Sequence, residues 1–153
     1  MASRVPQLEL DQQLCFALYD ASRALIRAYA PLLAPLGLTY PQYITMLALW
    51  EADDPLTIGA LGDRLHLDSG TLTPLVKRLE HLGLVHRHRD PEDERRVVVT
   101  LTDHGRGLQA DAAGIPGCLQ ERLQLDLSTL RSLREQLRDL TSAIDQGAAT
   151  RAK

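Results

Sequence analysis

Cys15 and Cys118 are the only cysteines in the chain, and the first has neighbours that could make a thiol useful. Cys15, Tyr19 and Ser22 are spaced four and three residues apart, so on a helix they share one face. A thiol so placed is either a small apolar filler or a reagent, and it becomes a reagent where hydrogen-bond donors stabilise its thiolate. Tyrosine hydroxyls can supply such donors. A second set of residues could meet nucleic acid. Ser69, Thr71 and Thr73 open a helical segment that continues to Lys77 and Arg78, and Arg87, Arg89, Arg95 and Arg96 gather around a charged turn. Small hydroxyl residues let a backbone approach a duplex closely, and Arg and Lys reach base edges or phosphates. Each group also has an ordinary reading, as a solvated helix face or a charged turn. His81, His86 and His88 lie close in sequence without acidic or thiolate co-ligands, so no metal site is expected.

The elements that must carry these residues can be read from periodicity and punctuation. Apolar positions recur at three- and four-residue steps from Leu8 through Leu14, Leu18, Leu25, Tyr29 and Leu32, which predicts a first helix that Pro31 kinks or ends. Cys15 would then sit mid-helix. Thr39 before Pro41 starts a second helix running to about Glu51. Thr57 can cap a short helix through Leu65, and Asp68 or Ser69 a longer one that stops at Gly83. Residues 84–89 and 96–101 then alternate or turn Val- and Thr-rich, as strands do, around the turn at 90–95. Of that turn's acids Asp90, Glu92, Asp93 and Glu94, some should pair with the neighbouring arginines, since all pointing outward they would repel phosphate. Residues 102–113 read as a helix, 114–117 interrupt it, and a leucine stripe from Leu123 to Ile144 marks a long final helix that frays from Gly147.

Composition narrows the class. A length of 153 residues, 44% hydrophobic and 24% charged, is that of one ordinary globular domain. Aromatic residues make up 4%, and abundant helix formers favour a mainly α (α+β) fold. The net charge of −3 means that any polyanion-binding surface must be local. Two cysteines are too few for a disulfide framework, and no apolar run reaches the roughly 18 residues of a membrane span. With no signal-peptide pattern, a reduced, cytoplasmic protein without a membrane partner or cofactor is expected.

Helix, short helix, turn, longer helix and hairpin is the order of a winged helix-turn-helix. The residues go further. The run 56–86, LTIGALGDRLHLDSGTLTPLVKRLEHLGLVH, followed by RDPEDERR at 89–96, resembles the winged helix of MarR-family transcriptional regulators. LCFALY at 14–19 and LGLTYPQY at 36–43 resemble the OhrR-type branch of that family, the organic hydroperoxide sensors and repressors. The resemblance covers about residues 8–145. It implies a single MarR-type domain over 1–153, with dimerisation helices at about 8–36 and 103–146 and the winged DNA-binding region at about 55–101. It implies a homodimer on a pseudo-palindromic operator, and the unburied apolar stripes at both ends of the chain point to a partner chain independently. It also implies that Cys15 senses an organic hydroperoxide, with Tyr29 and Tyr40 as hydrogen-bonding partners and Tyr19 as a further candidate. Cys118 is then the candidate resolving cysteine, and a small cellular thiol the alternative.

Fourteen residues between Cys15 and Tyr29 amount to about 21 Å along a helix, so the two meet only across subunits unless the chain folds back before Pro31. Two other readings stay open. One is a MarR-type regulator answering to a phenolic or other small ligand without thiol chemistry. The other is a thiol peroxidase, disfavoured because no thioredoxin-like alternation of strands and helices surrounds Cys15.

Overall fold

The computed structural model describes residues 5–151, with side chains through Gly147. Short 3-10 turns at Pro6–Leu8 and Leu10–Gln12 precede α1, Leu14–Leu33. The first helix therefore starts six residues later than its periodicity predicts. Gln13 accounts for this, because its side-chain amide donates to the carbonyls of Gln7 (2.8 Å) and Glu9 (3.2 Å) and folds the preceding chain into tight turns. Cys15 consequently occupies the first turn of α1, not its middle. Pro31 lies inside the helix, which continues past it to Leu33. A proline so near a C-terminus removes one donor without ending the helix, and the stop comes instead at the 3-10 turn Ala34–Leu36 and Gly37, whose φ is +66°.

Helix α2, Tyr40–Glu51, begins at a capping box in which Gln42 accepts the Thr39 N–H at 2.8 Å. Tyr43, Met46 and Leu49 of α2 are buried in a core completed by Leu33, Leu61, Leu72, Val76, Leu79, Leu84, Val85 and Val99. Strand β1, Leu56–Thr57, has only two residues and no periodic signal, and the sequence reading missed it. It exists by pairing, Leu56 opposite Val99 and Thr57 opposite Val98. Thr57 caps α3, Ile58–Leu65, and Asp68 caps α4, Ser69–His81. Strands β2, Val85–Arg89, and β3, Val97–Leu101, form the antiparallel hairpin, and the sheet order is β1-β3-β2.

Thr102 caps α5, Asp103–Ala112. Gly105 in its first turn lies so close to the entry of β2 that an added Cβ would stand 2.0 Å from the Leu84 carbonyl oxygen. By contact density the chain divides into two compact units, the first ending at Ile115 and the second beginning at Pro116. Across this boundary runs α6, Ile115–Leu123; α7, Leu127–Arg151, follows. The leucine stripe is thus split. Gln124 takes a left-handed φ of +51°, and Asp126 restarts the helix by accepting the Thr129 N–H at 2.7 Å. Helix α7 passes Gly147, where fraying was expected, and reaches Arg151.

Apolar side chains stand exposed at both ends of the chain, among them Leu8 (78%), Leu14, Ile26, Leu127 (66%), Leu133 and Ile144. No single helix among the described residues is long and apolar enough to cross a membrane.

Gly105→Ala should lower the unfolding free energy by at least about 2 kcal/mol, since backbone must move to admit the methyl group. Gly107→Ala, with nothing within 4 Å of the new atom, should be neutral or stabilising by roughly 0.5 kcal/mol. Urea melts of the two variants check the contrast, and equal midpoints would contradict the close approach.

Candidate functional site

The residues expected to meet nucleic acid lie on α4 and on the β2–β3 hairpin. Asp68 begins α4 by accepting the Thr71 N–H (2.8 Å) and the Thr71 hydroxyl (3.0 Å). Those bonds, the backbone one first, hold the Asp68 carboxyl below its usual range. Thr71 therefore commits its hydroxyl proton to the cap. Ser69, Thr71, Lys77 and Arg78 are exposed, and neither Lys77 nor Arg78 has an ion-pair partner among the described residues. Thr73 is half-buried and, with Thr57, Arg87, Arg95 and Arg96, lines a cleft of about 380 Å³ between the start of α3, the side of α4 and the hairpin.

The hairpin arginines have different fates. Arg87 is fully engaged by Glu80. Its backbone N–H donates to one carboxylate oxygen at 2.9 Å, while Nε (2.8 Å) and Nη2 (2.7 Å) meet the other. The Arg87 side-chain bond, followed by its backbone bond, pulls the Glu80 carboxyl below its ordinary value of 4.5. Arg87 thus braces β2 against α4. Glu80 was not singled out from sequence, because a partner seven residues away across a turn leaves no periodic trace. Arg95 pairs with Asp93 at 3.1 Å and Arg96 with Asp90 at 3.9 Å, the expected neutralisation of part of the turn's acids. Arg89 donates to the Glu94 carbonyl at 2.7 Å and has no ion-pair partner among the described residues.

The thiol site has two separated parts within the chain. Cys15 and Cys118 are both free and exposed. Tyr19, one turn from Cys15, accepts a hydrogen bond from Arg23 Nη1 at 2.8 Å, and the guanidinium lies 5.4 Å from the centre of its ring. The other tyrosines gather where α1 meets α2. Tyr29 lies 4.9 Å from Tyr40 and 5.7 Å from Tyr43 between ring centres. Tyr43 was given no role from sequence, although it closes the LGLTYPQY run. Burial, then the neighbouring Tyr40 and Tyr43, push the Tyr29 phenol up to about 12, and burial raises Tyr40 and Tyr43 as well. These phenols stay protonated across the physiological range and remain donors. Because α1 is continuous from Cys15 through Tyr29, the fold-back that would bring them together inside one chain does not occur. Among the described residues no cluster of three or more His, Cys, Asp or Glu is assembled to hold a metal.

A short helix and a following exposed, basic helix, braced by a three-stranded sheet with an arginine-bearing hairpin, define a winged-helix regulator that binds DNA. Residues 27–111 match the family model described as Transcriptional regulator SarA/Rot. The chain is 42% identical to the organic hydroperoxide resistance transcriptional regulator of Bacillus subtilis, over 95% of this chain and 99% of that protein. It is 45% identical to the HTH-type transcriptional regulator TtmR of Methylorubrum extorquens, over 94% and 77%. Among solved structures it is similar to AbfR of Staphylococcus epidermidis. Reduced AbfR bound to DNA gives a TM-score of 0.74 at 36% identity, covering 91% and 96% of the two chains. A disulfide form of AbfR gives 0.62 at 37%, covering 89% and 95%. The chain belongs to the MarR family of winged-helix transcriptional regulators, in its OhrR-type branch.

The Glu80–Arg87 brace should be sensitive to acid. The Glu80 pKa is depressed in the fold, so its contribution is complete above the unfolded value and disappears as pH falls through the folded one. Glu80→Gln should cost about 1 kcal/mol at neutral pH, and the gap to the wild type should narrow only as pH falls below the ordinary carboxylate value of 4.5, through the depressed folded one. A gap that does not change with pH across the acid range would assign the loss to packing.

Proposed function

We propose that the chain is a homodimeric, cytoplasmic repressor that leaves a pseudo-palindromic operator when an organic hydroperoxide oxidises Cys15. The observation that carries this reading is the division of the thiol site. A cysteine in the first turn of α1 and Tyr29 near its far end lie on one continuous helix, about 21 Å apart, with Tyr40 and Tyr43 of α2 against Tyr29. Two such helices crossing in opposite directions bring the partner subunit's Tyr29 and Tyr40 to Cys15, and Tyr19 lies one turn away on the cysteine's own chain. The exposed leucines of the amino-terminal segment and of α7 supply the apolar area such a dimer needs. The single MarR-type domain is then complete only as a pair. The names of the relatives agree with this reading: one is a regulator of organic hydroperoxide resistance, and AbfR has been solved both reduced on DNA and in a disulfide form.

In the chemistry we propose, the Cys15 thiolate attacks the terminal oxygen of the hydroperoxide. The O–O bond breaks, the sulfur is oxidised to a sulfenic acid, and the alkoxide leaves as an alcohol after taking a proton. A second thiol then displaces water to form a disulfide. Cys118 of the partner subunit or a small cellular thiol serves as that thiol. Replacing a small, nearly apolar contact by a larger cross-linked one breaks the tyrosine bonds of the reduced dimer. Release follows because the two oxidation states favour different separations of the two α4 helices.

Two measurements check this reading. One equivalent of cumene hydroperoxide, with a small thiol present, should release operator DNA from the wild type and leave Cys15→Ser bound. Cys118→Ser should abolish any covalent dimer on a non-reducing gel while still releasing DNA when the small thiol is supplied. A Cys15→Ser protein that releases normally would remove the thiol mechanism. The second concerns the DNA face. Arg89→Ala should reduce the slope of log K against log salt by about one, whereas Arg87→Ala, whose charge is already matched by Glu80, should change it by much less. Equal slopes for the two variants would mean that the brace opens on DNA.

A further inference from the structure

Helix α2 begins at Tyr40 and Tyr43 and ends near Trp50, the chain's one tryptophan. The Trp50 indole N–H donates to the Gly105 carbonyl at 2.8 Å, across 55 residues of sequence. Gly105 sits where nothing can slide. The Thr102 hydroxyl accepts its N–H at 2.9 Å and donates its own hydrogen to the Gly83 carbonyl at 2.7 Å. The Thr102 N–H donates to the Leu84 carbonyl at 3.0 Å, the same oxygen a Cβ on residue 105 would strike. Gly83 and Leu84 form the corner between α4 and β2, held by N–H bonds to the carbonyls of Glu80 (2.9 Å) and Leu79 (3.0 Å). An unbroken series of directional bonds thus runs from the carboxyl end of α2 to the carboxyl end of α4 and the base of the hairpin.

We propose that Trp50 is the positioning residue that carries the state of the tyrosine cluster to the α4–β2 corner. This rests on the redox reading above and adds the route by which it reaches the DNA face. Helix α2 is capped at its start, buried along its length and about 18 Å long, so it moves as a rod. When the bonds of Tyr40 to the thiol are lost, the far end of the rod shifts with the near end. The indole donor is part-buried, and losing Gly105 would leave it unsatisfied. Gly105 therefore follows the indole. Having Leu84 against its α carbon and Thr102 on its amide, it turns the corner with it. The corner sets the angle between α4 and the hairpin, the two elements that grip DNA.

The test uses full-length wild type, Trp50→Phe and Thr102→Val, with a duplex selected from a random pool by the reduced wild-type protein. Operator Kd is measured before and after one equivalent of cumene hydroperoxide in the presence of a small thiol. Wild type should show a ratio of oxidised to reduced Kd above about tenfold. Each variant should bind within about threefold of wild type when reduced, while its ratio collapses to within about twofold of one. The double variant should go no further than either single variant. A purely structural role would weaken both states alike and preserve the ratio, and that result overturns the proposal. If Trp50→Phe does not fold, Thr102→Val and the emission of the single indole in wild type decide. Emission should shift on oxidation, and DNA release without a shift overturns the coupling. A wild-type ratio of one would sink the redox reading and this route with it, whereas a normal wild-type ratio kept by the variants sinks the route alone.

Discussion

Tyr43, Met46 and Leu49 are enclosed on α2 between α1, α3, α4 and α5, and the burial of this one helix constrains every other part of the winged unit. Its start lies against Tyr29 of α1 and its end against Gly105 of α5. A helix that contributes apolar side chains over all its turns cannot rotate without opening voids on one side and clashes on another, because interiors are packed like crystals. The unit consequently behaves as discrete arrangements of one rod against its neighbours, with little continuous flexing. That property suits a winged-helix regulator, which must present its DNA-reading helix in a fixed geometry.

The chain as a whole repels DNA, with a net charge of −3, yet binding DNA is what its family does. The conflict is resolved locally. Carboxylates that could oppose phosphate are turned to internal work: Asp68 caps α4, Glu80 holds Arg87, and Asp90 and Asp93 meet Arg96 and Arg95. What remains facing outward along α4 is Lys77 and Arg78, with Arg89 on the hairpin beside the exposed Glu92 and Glu94 of its turn. Along α4 the surface is more basic than the sequence charge suggests, because Asp68 and Glu80 are both engaged.

Much of this was legible beforehand wherever the information is local. Thr39, Thr57 and Asp68 announced the starts of three helices, and the Val-rich run opposite a charged turn announced the hairpin. What escaped was non-local. β1 is two residues long and is defined only by its partner Val99; Gln13 delays α1 through bonds to carbonyls that no periodicity encodes; Glu80 finds Arg87 across a corner. The separation of Cys15 from Tyr29 followed from helical rise alone, and what the structure removed was the fold-back before Pro31, since α1 runs on to Leu33. Tyr43 was missed because a buried aromatic near a helix start looks like ordinary core from sequence.

Five helices, α2 through α5 and α7, begin on a side chain of their own that accepts a nearby backbone N–H. Each such start can form before any distant contact exists, since the cap and the turn it closes lie within four residues of one another. The pairing of Leu56 with Val99 is of the opposite kind, joining strands more than forty residues apart. Closing that loop costs chain entropy that no local signal offsets. The capped helices and the β2–β3 hairpin therefore draw on contacts close in sequence, whereas the shortest strand in the molecule draws on one that only the assembled sheet supplies.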